Sequence, residues 1–202
     1  MKPDRLNALT DGVVAIAITI IVLELPVPEE ATFAGLRAVG PMLLAYLLSF
    51  VNIGLFWANH HHMMTTVSKV DGRVLWANLA LLFFLSLVPF VIRWLDEAEF
   101  APLPTAAYGV VVLGAAVSYQ LLEVAIIRLH GRDGELARAL GGDLKAKLSA
   151  LGYLAAIGLA FVDPLISLAI YVLIAAAWLV PDPRIERQHK AEHRADSGKD
   201  AS

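Results

Sequence analysis

The chain has 202 residues, 58% of them hydrophobic and 17% charged, with a mean hydropathy of +0.65 and a formal net charge of -3. A soluble domain offsets its apolar residues with about 25% charged ones, so this is the composition of an all-α integral membrane protein, with room for roughly six spans of about 20 residues and none for a soluble catalytic domain. It has no cysteine, which excludes disulfides, thiolate nucleophiles, iron-sulfur clusters and cysteine-based zinc sites.

The first apolar run, residues 7–25, opens on Arg5, Leu9, Thr10 and Asp11 and continues from Gly12 to Leu23 with Thr19 as its one polar side chain. A carboxylate at the mouth of a membrane span is costly unless it has a partner, which makes this helix the functional lead. At about 100° per residue, Leu9, Gly12, Ile16, Ile20 and Leu23 fall on one stripe flanked by Thr19, while Thr10 and Asp11 project towards neighbouring helices. By itself such a stripe is the mark of ordinary packing or lipid contact. Glu24, Pro26 and Pro28 end the run and no small-residue cleavage site follows, so it is read as a span and not as a signal peptide.

The second run, 39–60, ends in Trp57-Ala58-Asn59-His60-His61-His62. Trp57 shares a helix face with His60 and His61 at the three- and four-residue spacings, which places an indole donor and an imidazole to meet the Asp11 carboxylate. Three consecutive histidines splay about 100° apart on a helix and do not converge on one ion, so no metal site is expected. The third run, 75–95, carries Asn78 and Pro89. The fourth, 104–127, ends near Gln120, Glu123 and Arg128, where snorkelling or pairing is the expected fate of the acid. From Leu148 to Val180 the chain is apolar except at Asp163-Pro164. A single helix of that length would be about 50 Å, against a hydrocarbon core of about 30 Å, so two arms, 147–162 and 165–180, are predicted to turn at Asp-Pro.

With six spans, fourteen of the sixteen lysines and arginines fall on one side, leaving Arg37 and Arg93 on the other. The positive-inside rule makes the first side the cytoplasm, with both termini there. The opposite loops carry Glu29, Glu30, Asp96, Glu97 and Glu99. Residues 1–181 are read as one membrane domain and 182–202 as a charged, disordered cytoplasmic tail.

The motif Arg5-x-x-x-Leu9-Thr10-Asp11 resembles the R-x-x-x-F-S-D signature that opens the first helix of the transmembrane protein 175 family, the potassium channels of endosomes and lysosomes and their prokaryotic relatives. Leu9 stands for Phe and Thr10 for Ser. Residues 12–19 continue the similarity, Trp57-Ala58-Asn59-His60 resembles the family's W-x-x-H on helix two, and Asn78 with Pro89 resembles its third helix. The resemblance implies a potassium-selective, leak-type cation channel in a prokaryotic plasma membrane. It also implies a homotetramer in which first helices surround the pore, with lipid and no nucleic acid as further partner, no enzymatic activity, and no cofactor beyond the permeating K+. Carried over by position, Ile16, Thr19, Ile20 and Leu23 would line the constriction, and Arg5, Thr10, Asp11, Trp57, His60 and Asn78 would form a polar network holding helix one. The chain has no T-V-G-Y-G segment; an aliphatic ring would oppose a hydrated ion by dewetting. The alternatives are a secondary ion transporter, which calls for midplane ionisable residues and paired broken helices, or a proton-conducting membrane protein. A histidine-dependent membrane enzyme needs ligands from several spans, and His130, His189 and His193 fall in loop or tail.

Overall fold

The computed structural model of the chain describes residues 3–131 and 144–179. The described residues form helices joined by turns and short irregular segments, with no strand among them: α1 (Asp4–Leu23), α2 (Phe33–Ala38), α3 (Gly40–Thr65), α4 (Gly72–Glu97), α5 (Pro102–His130), α6 (Leu144–Leu159) and α7 (Pro164–Leu179). Four of them, α1, α3, α4 and α5, are long and apolar enough to cross a membrane. The helices α6 and α7 have 16 residues each. The predicted tail, 182–202, and the domain boundary before it lie outside the described residues.

The helix limits follow local chemistry. Asp71 caps α4, its Oδ1 accepting from the backbone N–H of Arg73 and of Val74, each at 3.0 Å, which satisfies two donors that a helix start leaves unpaired. Pro102 and Pro164 open α5 and α7, positions where a missing N–H costs nothing. Asp163 Oδ1 accepts from Leu165 N–H at 2.8 Å, so the Asp-Pro pair breaks the last apolar stretch into the α6–α7 hairpin. The six-residue α2 was not expected from the sequence; Thr32 caps it by accepting from Gly35 N–H at 3.1 Å. The helix α3 runs five residues beyond the predicted span, to Thr65, because nothing in His61–Thr65 stops it before the capping turn at Thr66.

The core is built on α4, which packs along α5, with α1 laid across α4 and α3 on one side and α6 and α7 against α5 on the other. Leu81, Leu85 and Ile92 of α4, Leu122 and Ile126 of α5, and Ile21 of α1 are fully enclosed. Small residues let α5 approach closely. A methyl on Gly114 would collide with the Phe84 ring, and one on Gly109 would collide with the Tyr171 hydroxyl and lie 2.8 Å from Ile157 Cγ1. Without a hydrophobic force between helices in lipid, contact of this kind is the main source of association.

Candidate functional site

The helix α1 has two faces of opposite fate. Leu6, Thr10, Val14, Ala17 and Ile21 are buried against the bundle. Leu9, Gly12, Ile16, Thr19, Ile20 and Leu23 are exposed, Ile16 by 59% and Leu23 by 80%. The stripe read from helical periodicity is therefore the face that the protomer leaves uncovered. Thr19, exposed among these aliphatic groups, donates its hydroxyl hydrogen back to its own helix, 3.0 Å from the Ala15 carbonyl and 2.9 Å from that of Ile16. Its oxygen lone pairs are thereby turned away from the backbone.

The buried face carries the polar seam. Thr10, 1% exposed, donates to the Leu6 carbonyl at 3.0 Å and accepts from Asn78 Nδ2 at 3.0 Å. With the Asn78 amide nitrogen turned to α1, its Oδ1 faces His60 Nε2 at 2.9 Å, and this acceptor requires the Nε2–H tautomer. Thr10 of α1, His60 of α3 and Asn78 of α4 thus form one closed chain, and all three are buried. Separately, Trp57 Nε1–H donates to Asp11 Oδ1 at 2.8 Å at the exposed edge of the same seam, and the Trp57 indole stacks on His61, ring centroids 5.6 Å apart. His60 hydrogen-bonds Asn78, not Asp11: a residue three positions on from Trp57 lies about 60° round the helix, and that rotation takes its ring from the edge into the interior beside α4. Arg5 is exposed, and its side chain makes no hydrogen bond or ion pair among the described residues. At the other end of α1, Glu24 lies 3.7 Å from Arg93, which also pairs with Glu97 at 2.8 Å, tying the end of α1 to α4.

A second buried polar group was not anticipated. Tyr108 of α5 accepts from Ser49 at 3.2 Å and from Asn52 Nδ2 at 3.1 Å, both on α3, and its ring stacks obliquely on Tyr171 of α7, which itself touches Tyr153 of α6. Tyr171 donates to the Thr105 carbonyl at 3.3 Å. The signal available in the sequence was Ser49 and Asn52, three apart on one face of an otherwise apolar stretch. Among the described residues no group of three or more histidines, cysteines or acids is placed to hold a metal ion. The arrangement offers an exposed row of aliphatic side chains on a helix whose back is anchored by buried hydrogen bonds.

A family profile described as endosomal/lysosomal potassium channel TMEM175 matches residues 5–89, the segment that holds both α1 and the polar seam. A protein of Chryseobacterium sp. (strain P1-3) named as a potassium channel is 45% identical over 190 residues, covering 94% of this chain and 99% of that one. One from Streptomyces collinus (strain DSM 40733 / Tue 365), also named as a potassium channel, is 34% identical over 85% of this chain and 88% of its own. The mouse protein named endosomal/lysosomal proton channel TMEM175 is 32% identical over 44% of this chain but only 20% of its own length. The crystal structure of a lysosomal potassium-selective channel TMEM175 homolog from Chamaesiphon minutus superposes with a TM-score of 0.74 at 28% identity, covering 87% of this chain and 95% of that one.

Proposed function

This chain belongs to the TMEM175 family, and from that membership we propose that it is a potassium-selective, leak-type cation channel, a homotetramer whose four α1 helices surround the conducting axis. In this reading Ile16, Ile20 and Leu23 form successive aliphatic rings, Thr19 supplies hydroxyls between them, and the pore works without a T-V-G-Y-G filter. The observation that carries it is the exposed stripe of α1: a helix with one face locked to α3 and α4 leaves its other aliphatic face open along the length of a span. Four such faces brought together exclude water at the narrowest ring, so a small widening switches conduction. The bilayer alone would cover an aliphatic face equally well. The potassium-channel relatives that span nearly the whole chain favour the pore.

The reading includes six spans, with α6 and α7, each about 24 Å long, as the last two. Both termini then lie on the cytoplasmic side of a prokaryotic plasma membrane, where the basic residues gather. Thr10, Asp11, Trp57, His60 and Asn78 hold α1 in place, and Arg5 stands at its mouth. A proton-conducting protein is the second reading, favoured by the name of the animal relatives, which match 44% of this chain.

Flux through purified protein in liposomes decides among these readings. Potassium flux should exceed sodium flux and run faster than carrier turnover, whereas acidification of the lumen without potassium movement would favour the proton reading. Ile16→Asn should raise leak and weaken selectivity, because a polar ring lowers the dewetting barrier. Val22→Asn, exposed on the same helix but about 120° round from Ile16, should leave conductance unchanged. Equal or reduced current for assembled Ile16→Asn protein would remove the pore assignment.

A further inference from the structure

A cavity of about 60 Å³ lies between α3, α5, α6 and the end of α7, with no residue of α1 in its walls. Two helical stripes form its long sides: Asn52, Phe56 and Asn59 of α3, and Ala116, Tyr119 and Gln120 of α5, each set at the spacings of one helix face. Tyr153 and Trp178 contribute from α6 and α7, the indole held by its 2.9 Å bond to Ser149. Phe56 and Tyr119 stand with ring centroids 6.3 Å apart, and most of the lining is apolar. The charged groups here are already engaged, Glu123 within the chain and Lys145 over the Trp178 ring at 4.7 Å. The polar groups left over are neutral amides. Asn52, 6% exposed, spends its Nδ2 on the Tyr108 hydroxyl at 3.1 Å, and its Oδ1 accepts no hydrogen bond among the described residues. The side-chain amides of Asn59 and Gln120 likewise make none.

These groups select a ligand by elimination. A charged ligand would be desolvated here without an unengaged counter-charge to meet it. A buried acceptor that lacks a donor carries a desolvation cost that a hydroxyl relieves. Water alone could supply that donor, but it would leave the rings without the close carbon contacts that fill an apolar space. On the same volume scale one water needs about 10–15 Å³, so the cavity has room for about four or five heavy atoms. We propose that it binds a neutral short-chain alcohol, its hydroxyl donating to Asn52 Oδ1 and its alkyl stem lying against the aromatic rings towards Asn59 and Gln120. Such a ligand would tie α3 to α5, α6 and α7, independently of the central axis.

The test is photolabelling of the full-length protein in a neutral maltoside detergent with 3-azibutanol, an alcohol whose diazirine loses nitrogen on irradiation and leaves a carbene that inserts where it lies. Mass spectrometry of peptides locates the label, which should saturate on residues that line the cavity, such as Tyr119, Glu123 or Tyr153. 1-Butanol should compete about fivefold better than diethyl ether, which has as many heavy atoms but no donor, the worth of one hydrogen bond. Asn52→Leu should erase that preference. Because it also removes a partner of Tyr108, a second variant, Ala116→Leu, fills the cavity with the amides in place and should lose the cavity label. Label that spreads over lipid-facing surfaces without saturating, equal competition by alcohol and ether, a preference retained in Asn52→Leu, or undiminished cavity label in folded Ala116→Leu protein would each overturn the assignment. Because no ion flux is measured, its failure would leave the channel reading untouched.

Discussion

Asn78 is the residue on which three helices converge, since it donates to Thr10 of α1 and accepts from His60 of α3 while standing on α4. Replacing it by Ala removes both bonds at once and strands a buried imidazole N–H and a buried hydroxyl oxygen. Hydrogen bonds between helices in lipid average about 0.6 kcal/mol, but a buried group left without a partner costs about 1–3 kcal/mol. Asn78→Ala should therefore lower stability by about 1–3 kcal/mol, measured by denaturant titration in micelles. Trp57→Phe, at the exposed edge, should cost less, about 0.5–1 kcal/mol, because water or lipid headgroups can replace the lost donor to Asp11. A Trp57 variant as damaging as the Asn78 variant would mean that the edge bond, not the buried chain, anchors α1.

At the scale of elements, α5 is the spine against which α4, α6 and α7 are set, and its glycines decide how close they come. Gly114→Ala would drive a methyl into the Phe84 ring and should cost about 1–3 kcal/mol by overpacking. Gly12→Ala on α1, where a methyl would meet nothing within 4 Å in the protomer, should be neutral or slightly stabilising for the isolated subunit. Thermal melting of the two variants side by side checks the contrast. Much of this architecture was legible in the chain: apolar runs gave the long helices, and Asp163-Pro164 gave the last hairpin, because a proline without N–H and an aspartate with a free oxygen end and begin helices by local chemistry. What was not legible depends on how helices are rotated against one another. His60 was placed near Asp11 from spacing alone, whereas the rotation of α3 against α4 turns it to Asn78. The Tyr108 cluster joins four helices across long sequence separations, and no single run of residues announces it. The exposed stripe of α1 was readable as a stripe, but its exposure had to come from the packed structure.

For the whole molecule, the six-span reading makes a symmetric statement about the two ends of the chain. Single cysteines introduced at Lys2 and at Ser202 of this cysteine-free protein should both resist a membrane-impermeant maleimide applied outside intact cells, and both react once the membrane is opened. Labelling of one end alone from outside would require an odd number of spans. Intact mass measurement in detergent should give four times the mass of the 21.8 kDa chain; a monomer that still conducts would exclude the α1-lined axis.

The indole of Trp57 also makes the seam optically readable. Its N–H is bonded to a carboxylate on one helix while its ring lies against an imidazole on its own, so its emission depends on whether α1 and α3 stay together. With Trp76, Trp94 and Trp178 replaced by Phe, the remaining tryptophan becomes a single intrinsic chromophore. If opening of the proposed α1-lined pore carries α1 away from α3, emission should shift in colour and intensity as conductance rises. If the two helices move as one body, the spectrum should stay constant while current changes, and the hinge must be sought elsewhere in the bundle.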